Sequence, residues 1–264
     1  MQKKNRVDER LNLLSARKEK TLALFITAGY PHLDSTVQVV LALERGGADI
    51  IEIGMPFSDP LADGPVIQQS STAAIRNGMT LARLLEDVVT IRAQSGIPIV
   101  LMGYLNPILR YGPDRFFEAA GRNGVDGVIL PELPLEEAGR YSSAIHANGL
   151  AQILLVTPAT PPERIRAIDQ ASDGFLYCVS TTGVTGAEGS GSPEADIREV
   201  RKNASKNRVL VGFGIARPED AARYAQEADG VIVGSALIKK IGEGSSLEAL
   251  SAWVREFKEA VRRT

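Results

Sequence analysis

The chain has 264 residues, of which 44% are hydrophobic and 23% charged, and its 30 basic and 32 acidic side chains leave a net charge of −2. That composition has ample apolar surface for a core, and its well-mixed charges offer no electrostatic footprint for nucleic acid or an anionic membrane. The basic start at residues 1–6 is not followed by the apolar stretch of a secretory signal, and no run approaches the roughly 18 apolar residues of a membrane span. A cytoplasmic protein is therefore expected, with one domain over residues 1–264. Cys178 is the only cysteine, which excludes an internal disulfide and a cysteine cluster for zinc. Within the apolar run 175–180 it reads as a buried strand residue, and neither His32 nor His146 has a reason to lie beside it; ligands for a metal are lacking.

In chain order, residues 8–20 read as a helix with Leu11 and Leu14 on its apolar stripe, placed to close the bottom of a barrel. A buried strand at 22–27 ends at Ala28 and Gly29. Asp34 and Ser35 can cap the next helix, whose stripe includes Val37, Val40, Leu41 and Leu43 and which Gly46 and Gly47 stop. A second strand near 48–54 precedes an extra stretch at 65–77, and its helix spans 81–94 behind Thr80 as N-cap. Six more strand-then-helix units follow: 97–102 with 114–123, 127–130 with 135–148, 151–156 with 162–171, 175–180 with 193–202, 209–212 with 218–227, and 230–233 with 246–261. Alternation of this kind forces parallel pairing with right-handed crossovers, which leaves a closed barrel or an open doubly wound sheet. Eight evenly spaced units, a length near the usual barrel size of about 250 residues, and no GxGxxG turn after the first strand favour the closed form. The fold class expected is α/β, a single (β/α)8 TIM barrel with an extra N-terminal helix and a short helix at 236–241 after the eighth strand.

The stretch 48–68, ADIIEIGMPFSDPLADGPVIQ, breaks local rules. Its start is the β-branched apolar run of a strand buried on both faces, yet Glu52 sits in its middle, and a lone carboxylate out of water costs several kcal/mol unless paired or protonated. Behind it, Gly54, Pro56, Pro60, Gly64 and Pro65 stiffen a loop that carries Ser58, Asp59 and Asp63. A strand acid followed by a second acid at the strand's C-terminal end suits acid/base chemistry. An internal salt bridge for Glu52 and a turn-capping role for Asp63 would account for the same residues.

On its wording, the run EIGMPFSDPLADGPVIQ resembles the signature of the tryptophan synthase α subunit. FITAGYP at 25–31, GYLNP at 103–107, GVTGAE at 183–188, GFGI at 212–215 and GSALIK at 234–239 resemble the same family in its own order, so the likeness covers nearly the whole chain. It implies retro-aldol cleavage of indole-3-glycerol phosphate to indole and glyceraldehyde 3-phosphate, with Glu52 and Asp63 as catalytic residues. By the same resemblance Phe25, Ile67, Tyr104, Leu130 and Phe213 line an indole pocket, and Tyr177 is the active-site tyrosine near Glu52. Ordinary barrel packing would explain those apolar types equally, and a packed core aromatic would explain Tyr177. Thr185 and Gly186 match positions that close over the site, so the Gly-, Ser- and Thr-rich stretch 181–193 is expected to be a lid, the alternative being a tolerated insertion.

Barrels of this kind commonly bind phosphate at the loops after strands seven and eight. Gly212, Gly214, Gly234 and Ser235 fall there, and the amides of the short helix would face the anion. Any one of these glycines could merely turn the chain, and Lys239 and Lys240 either add charge or are solvated. The resemblance also implies a partner β subunit that carries pyridoxal phosphate, in an α2β2 assembly, with Asp59, Pro60, Asn106 and Pro134 facing it and no cofactor in this chain. Two departures stand out: Glu132 where the family generally has aspartate, and Thr181 where some relatives have arginine. A different phosphate-handling barrel enzyme, or a silent subunit that only activates its partner, remain the competing readings.

Overall fold

The structure, a computed structural model, describes residues 5–179, 192–212, 214–262 and 264. Helix α1 (Arg6–Ala16) leads into β1 (Thr21–Thr27), α2 (Ser35–Gly46) and β2 (Ile50–Gly54), followed by α3 (Pro65–Arg76) and α4 (Leu81–Arg92). Then come β3 (Ile99–Met102), α5 (Leu105–Tyr111), α6 (Pro113–Asn123), β4 (Gly127–Ile129), α7 (Leu135–Ala147), β5 (Ala151–Ile153) and β6 (Leu155–Val156). The remainder is α8 (Pro162–Ala171), β7 (Phe175–Val179), α9 (Pro193–Asn203), β8 (Arg208–Gly212), α10 (Pro218–Ala225), β9 (Gly230–Val233), α11 (Ser235–Gly242) and α12 (Leu247–Arg262).

All strands are parallel, in the order β5-β4-β3-β2-β1-β9-β8-β7-β6. The two ends of that list are successive pieces of one strand, which closes the ring. The strand expected at 151–156 is interrupted at Leu154 because its first half pairs with β4 and its second with β7, and the Leu154 carbonyl accepts from Tyr177 N at 3.0 Å between them. The barrel is therefore the expected TIM type, with each strand buried on both faces as parallel sheets require.

Strand alternation sorts the core into two layers. Ile51, Ile53, Leu101 and Val128 pack outward against the helices, while Ala23, Ile50, Val100, Met102, Phe175, Tyr177 and Ile232 fill the interior. Val7 and Leu11 of α1 belong to the interior cluster, so this helix plugs the N-terminal end of the barrel as expected. It stops at Ala16, short of residue 20, where Lys18 takes a positive φ of 56°.

A fourfold pattern ties that end together. Asp49, Asp126, Asp173 and Asp229 each precede a strand, and each donates its backbone N–H to a residue of the strand before it: Leu22, Ile99, Gln152 and Val209. The same four residues return their own N–H to the aspartate carboxylates, at 2.8, 2.8, 3.4 and 3.0 Å. Cations neutralise the buried members: Arg10 and Lys258 on Asp49, Arg6 and Arg92 on Asp126.

Other differences from expectation are local. The buried stripe of α2 runs through Val39, Val40, Ala42 and Leu43, with Val37 and Leu41 only half-buried. Asp34 stands at its N-cap but makes no capping bond; its carboxylate pairs with Arg83 at 2.6 Å. The extra stretch after the second strand is the helix α3, with Pro65 at its first turn where a missing N–H costs nothing. Helix α5 was not expected, and its Pro107 is tolerated for the same reason.

Candidate active site

At the C-terminal mouth of the barrel lies a cavity of about 220 Å³. Phe25, Ile67, Met102, Tyr177, Ile215 and Ile232 give it apolar walls, Asp63 supplies a carboxyl, and Gly214, Gly234 and Ser235 form one end. Strands β1, β3, β7 and β9 each contribute an inward side chain, and the loop between β2 and α3 closes the side.

Glu52 is the inward residue of β2, paired in register with Phe25 on one side and Val100 on the other. It is 0% exposed, and among the described residues neither carboxyl oxygen has a hydrogen-bond partner. Among the described residues no ion pair holds it either. Burial alone pushes its pKa up to about 8, so it is protonated at neutral pH. Glu52 is not itself on the cavity wall, but its register neighbour Phe25 is.

Asp63 sits on the cavity wall rather than capping a turn. Its pKa is raised to about 6, first by burial, with a hydrogen bond from Tyr104 pulling it down and the charge of Glu132 adding to the rise. At neutral pH it is therefore mostly ionised, so the two carboxyls hold opposite protonation states, the arrangement that separates an acid from an anion. The Tyr177 hydroxyl rests against Gly212, where a Cβ would come within 2.3 Å of it, so this glycine makes room for the phenol. Gly54 does the same for the ring of Phe25. Burial, with the charges of Glu52 and Asp63 behind it, drives the Tyr177 pKa far upward and keeps the phenol neutral.

At the other end of the cavity, Gly234 is the N-cap of α11 and Ser235 its first residue, so amides without intrahelical partners point toward the opening. Gly214 holds a positive φ of 73°, a conformation that only glycine adopts freely. Lys239 and Lys240 occupy the opposite, last turn of α11, where Lys240 pairs with Glu243 at 3.6 Å, so neither serves this anion-ready end.

The family model described as tryptophan synthase alpha chain matches residues 11–263. The chain belongs to the tryptophan synthase alpha chain family. It is 45% identical to the tryptophan synthase alpha chain of Geotalea daltonii over 97% of its own length and 98% of the relative's, and 42% identical to that of Flavobacterium psychrophilum over 96% and 99%. Among solved structures, the tryptophan synthase subunit alpha of Legionella pneumophila superposes with a TM-score of 0.91 at 39% identity, over 99% of this chain and 100% of that one.

In this family member, the cavity brings together Asp63, Phe25, Ile67, Tyr177, Gly214, Gly234 and Ser235, with Glu52 next to Phe25 outside its wall, and two expected pocket residues lie elsewhere. Leu130 faces a neighbouring cavity of about 410 Å³ that shares Met102 as a wall. Tyr104 does not line the cavity; it is buried beside the Asp63 loop. Thr185, Gly186, Phe213 and residues 181–191 of the lid expected at 181–193 lie outside the described residues, while Ser192 caps α9 ahead of Pro193. Met102, Ile215 and Ile232 were missed by the sequence reading. Strand alternation would have offered Met102, the last residue of an expected strand, but counting by twos from the strand end at 233 passes over Ile232.

Around the mouth, Asp59, Asn106 and Pro134 are exposed and Pro60 is half-buried, on the connections after β2, β3 and β4. Leu61 among them is 93% exposed. Glu132 is exposed too and accepts a hydrogen bond from Leu105 N at the start of α5, which joins two of these connections.

Proposed function

We propose that Glu52 and Asp63 share the chemistry of the cleavage that the alpha chain family performs. The enzyme is a carbon–carbon lyase that splits indole-3-glycerol phosphate into indole and glyceraldehyde 3-phosphate. Protonated Glu52 gives its proton to the ring carbon that bears the side chain, and the ring nitrogen takes on the resulting positive charge. Ionised Asp63 accepts the hydrogen bond of the ring N–H and stabilises that charge in a site of low dielectric. The C–C bond then breaks: its electron pair returns to the ring as indole, the neighbouring hydroxyl becomes the aldehyde, and the hydroxyl proton passes to the Glu52 carboxylate. Glu52 is thus restored to the acid in which it began.

For this the Glu52 side chain has to turn past its neighbour Phe25 into the cavity, and among the described residues no hydrogen bond opposes that movement. Phe25, Ile67 and Tyr177 clasp the ring, and Gly214, Gly234, Ser235 and the α11 amides hold the phosphate. The observation that carries the reading is a fully buried glutamic acid with no partner among the described residues, set beside a cavity whose wall holds a second carboxyl of opposite protonation.

The family works with a β subunit. We place the contact on the rim of Asp59, Pro60, Asn106 and Pro134, where a leucine as exposed as Leu61 gains by being covered. The assembly is α2β2, with pyridoxal phosphate held by the β subunit and residues 1–264 acting as one barrel domain in the cytoplasm. Among the described residues no helix is long and apolar enough to cross a membrane. Incubation of the purified chain with indole-3-glycerol phosphate tests the activity: equimolar indole and glyceraldehyde 3-phosphate are expected, faster with a β subunit, and absence of both products in either condition would overturn it.

A further inference from the structure

Asp63 stands where little else fixes it. Pro56 and Pro60 stiffen the start of its loop, but its own neighbours are Ala62 and Gly64, and a Cβ on Gly64 would meet nothing within 4 Å. A carboxylate that must meet a ring N–H within hydrogen-bond range cannot be left to sample rotamers, since a misplacement of about 1 Å is enough to cost about 100-fold in rate. Two side chains outside the loop supply the constraint. Gln68 on α3 donates its amide to the backbone carbonyls of Asp63, at 2.9 Å, and Pro60, at 3.4 Å. From the other side comes Tyr104, the N-cap residue of α5, 5% exposed and packed by its ring against Phe57 at 5.4 Å between centroids.

The Tyr104 hydroxyl accepts the N–H of Ala62 at 2.9 Å. An N–H can only donate, so the hydroxyl accepts there and its own proton is left for the carboxyl of the next residue, Asp63, whose pKa Tyr104 pulls down. Direction is thereby set: one phenol oxygen reads the backbone of residue 62 and the side chain of residue 63 together. The phenol pKa lies well above its ordinary value, chiefly through burial, so Tyr104 keeps its proton and cannot serve as an acid or base itself.

We propose that Tyr104 is a positioning residue for the cleavage, aiming the Asp63 carboxylate at the ring N–H of the substrate rather than lining the indole pocket. This rests on the reading of Asp63 given above. The titratable groups facing Asp63 among the described residues are Tyr104, Glu132 and Tyr177. Only Tyr104 favours its ionised form by a hydrogen bond.

The test compares Tyr104→Phe and Asp63→Asn with the wild-type chain, singly and together, by the pH dependence of indole release. Phenylalanine keeps the ring against Phe57, so the fold is preserved. Loss of a bond to a charged group should lower kcat by about 10-fold or more and leave Asp63 harder to ionise, moving the acid limb of kcat/KM upward by about one pH unit. In the Asp63→Asn background the same change should cost little more. An acid limb that stays in place, with KM raised and kcat intact, would make Tyr104 a pocket wall and sink the proposal. Near-normal turnover in Asp63→Asn alone would instead remove the reading of Asp63 on which it stands.

Discussion

Replacing Glu52 by Gln should stabilise the protein in alkaline solution while removing its acid. In the folded state the Glu52 pKa is raised from an ordinary 4.5 to about 8 by burial alone. Such a group penalises the folded state progressively as pH rises from the unfolded value to the folded one, because the unfolded chain can ionise it and the barrel interior cannot. At 1.36 kcal/mol per pH unit the full penalty is about 5 kcal/mol, of which under about 1 kcal/mol is felt at pH 5. Glutamine fills the same space and does not titrate. Its own buried, unpaired amide costs about 1–3 kcal/mol at every pH, so it moves the absolute difference but not its slope. The stability of Glu52→Gln relative to wild type, from urea unfolding at pH 5 and 8.5, should therefore rise by about 4 kcal/mol between the two. Taking the difference removes the titration of every other group. A rise below about 1 kcal/mol would mean that Glu52 is ionised in the folded state, paired with something, and that the account of it as a buried acid is wrong.

The same two carboxyls shape activity. Asp63 must be ionised, which holds above about 6, and Glu52 protonated, which holds below about 8, so kcat/KM should follow a bell with its maximum between those values. A profile flat from pH 5 to 9 would contradict that assignment. Gly212→Ala puts a Cβ within 2.3 Å of the Tyr177 hydroxyl, which must then shift toward the cavity. Overpacking of this kind costs about 1–3 kcal/mol, to be read by urea unfolding, and indole release should fall; an unchanged protein would show that the phenol has room to spare.

Much of the barrel could be read from the chain because its parallel strands and amphipathic helices differ so plainly in period, and the strand at Gly230–Val233 and the helix at Pro162–Ala171 come out with the bounds expected. Helix α3 was harder: its Ser-Ser-Thr run has weak helix propensity, and its capture depends on packing such as the buried 2.6 Å contact of Ser70 with Thr27. The break at Leu154 follows from ring closure, which no local pattern encodes. Glu52 was legible because it offends a strand's composition. The Tyr104 contact was not, because it joins residues 42 apart in the chain whose types suit many other roles. One signal was available and unread: an aspartate followed by glycine or isoleucine at the entry of alternate strands, at positions 49, 126, 173 and 229, marks the rim that knits the barrel's closed end.

The account depends most on the proton that Glu52 exchanges with the ring carbon. Indole release from indole-3-glycerol phosphate by Glu52→Gln, with unfolding used to verify the fold, measures it directly. A loss of about 100-fold or more relative to wild type is predicted, the usual contribution of a positioned acid/base group. Turnover above about a tenth of wild type would contradict the claim, since a side chain that cannot give up a proton would then be doing its work.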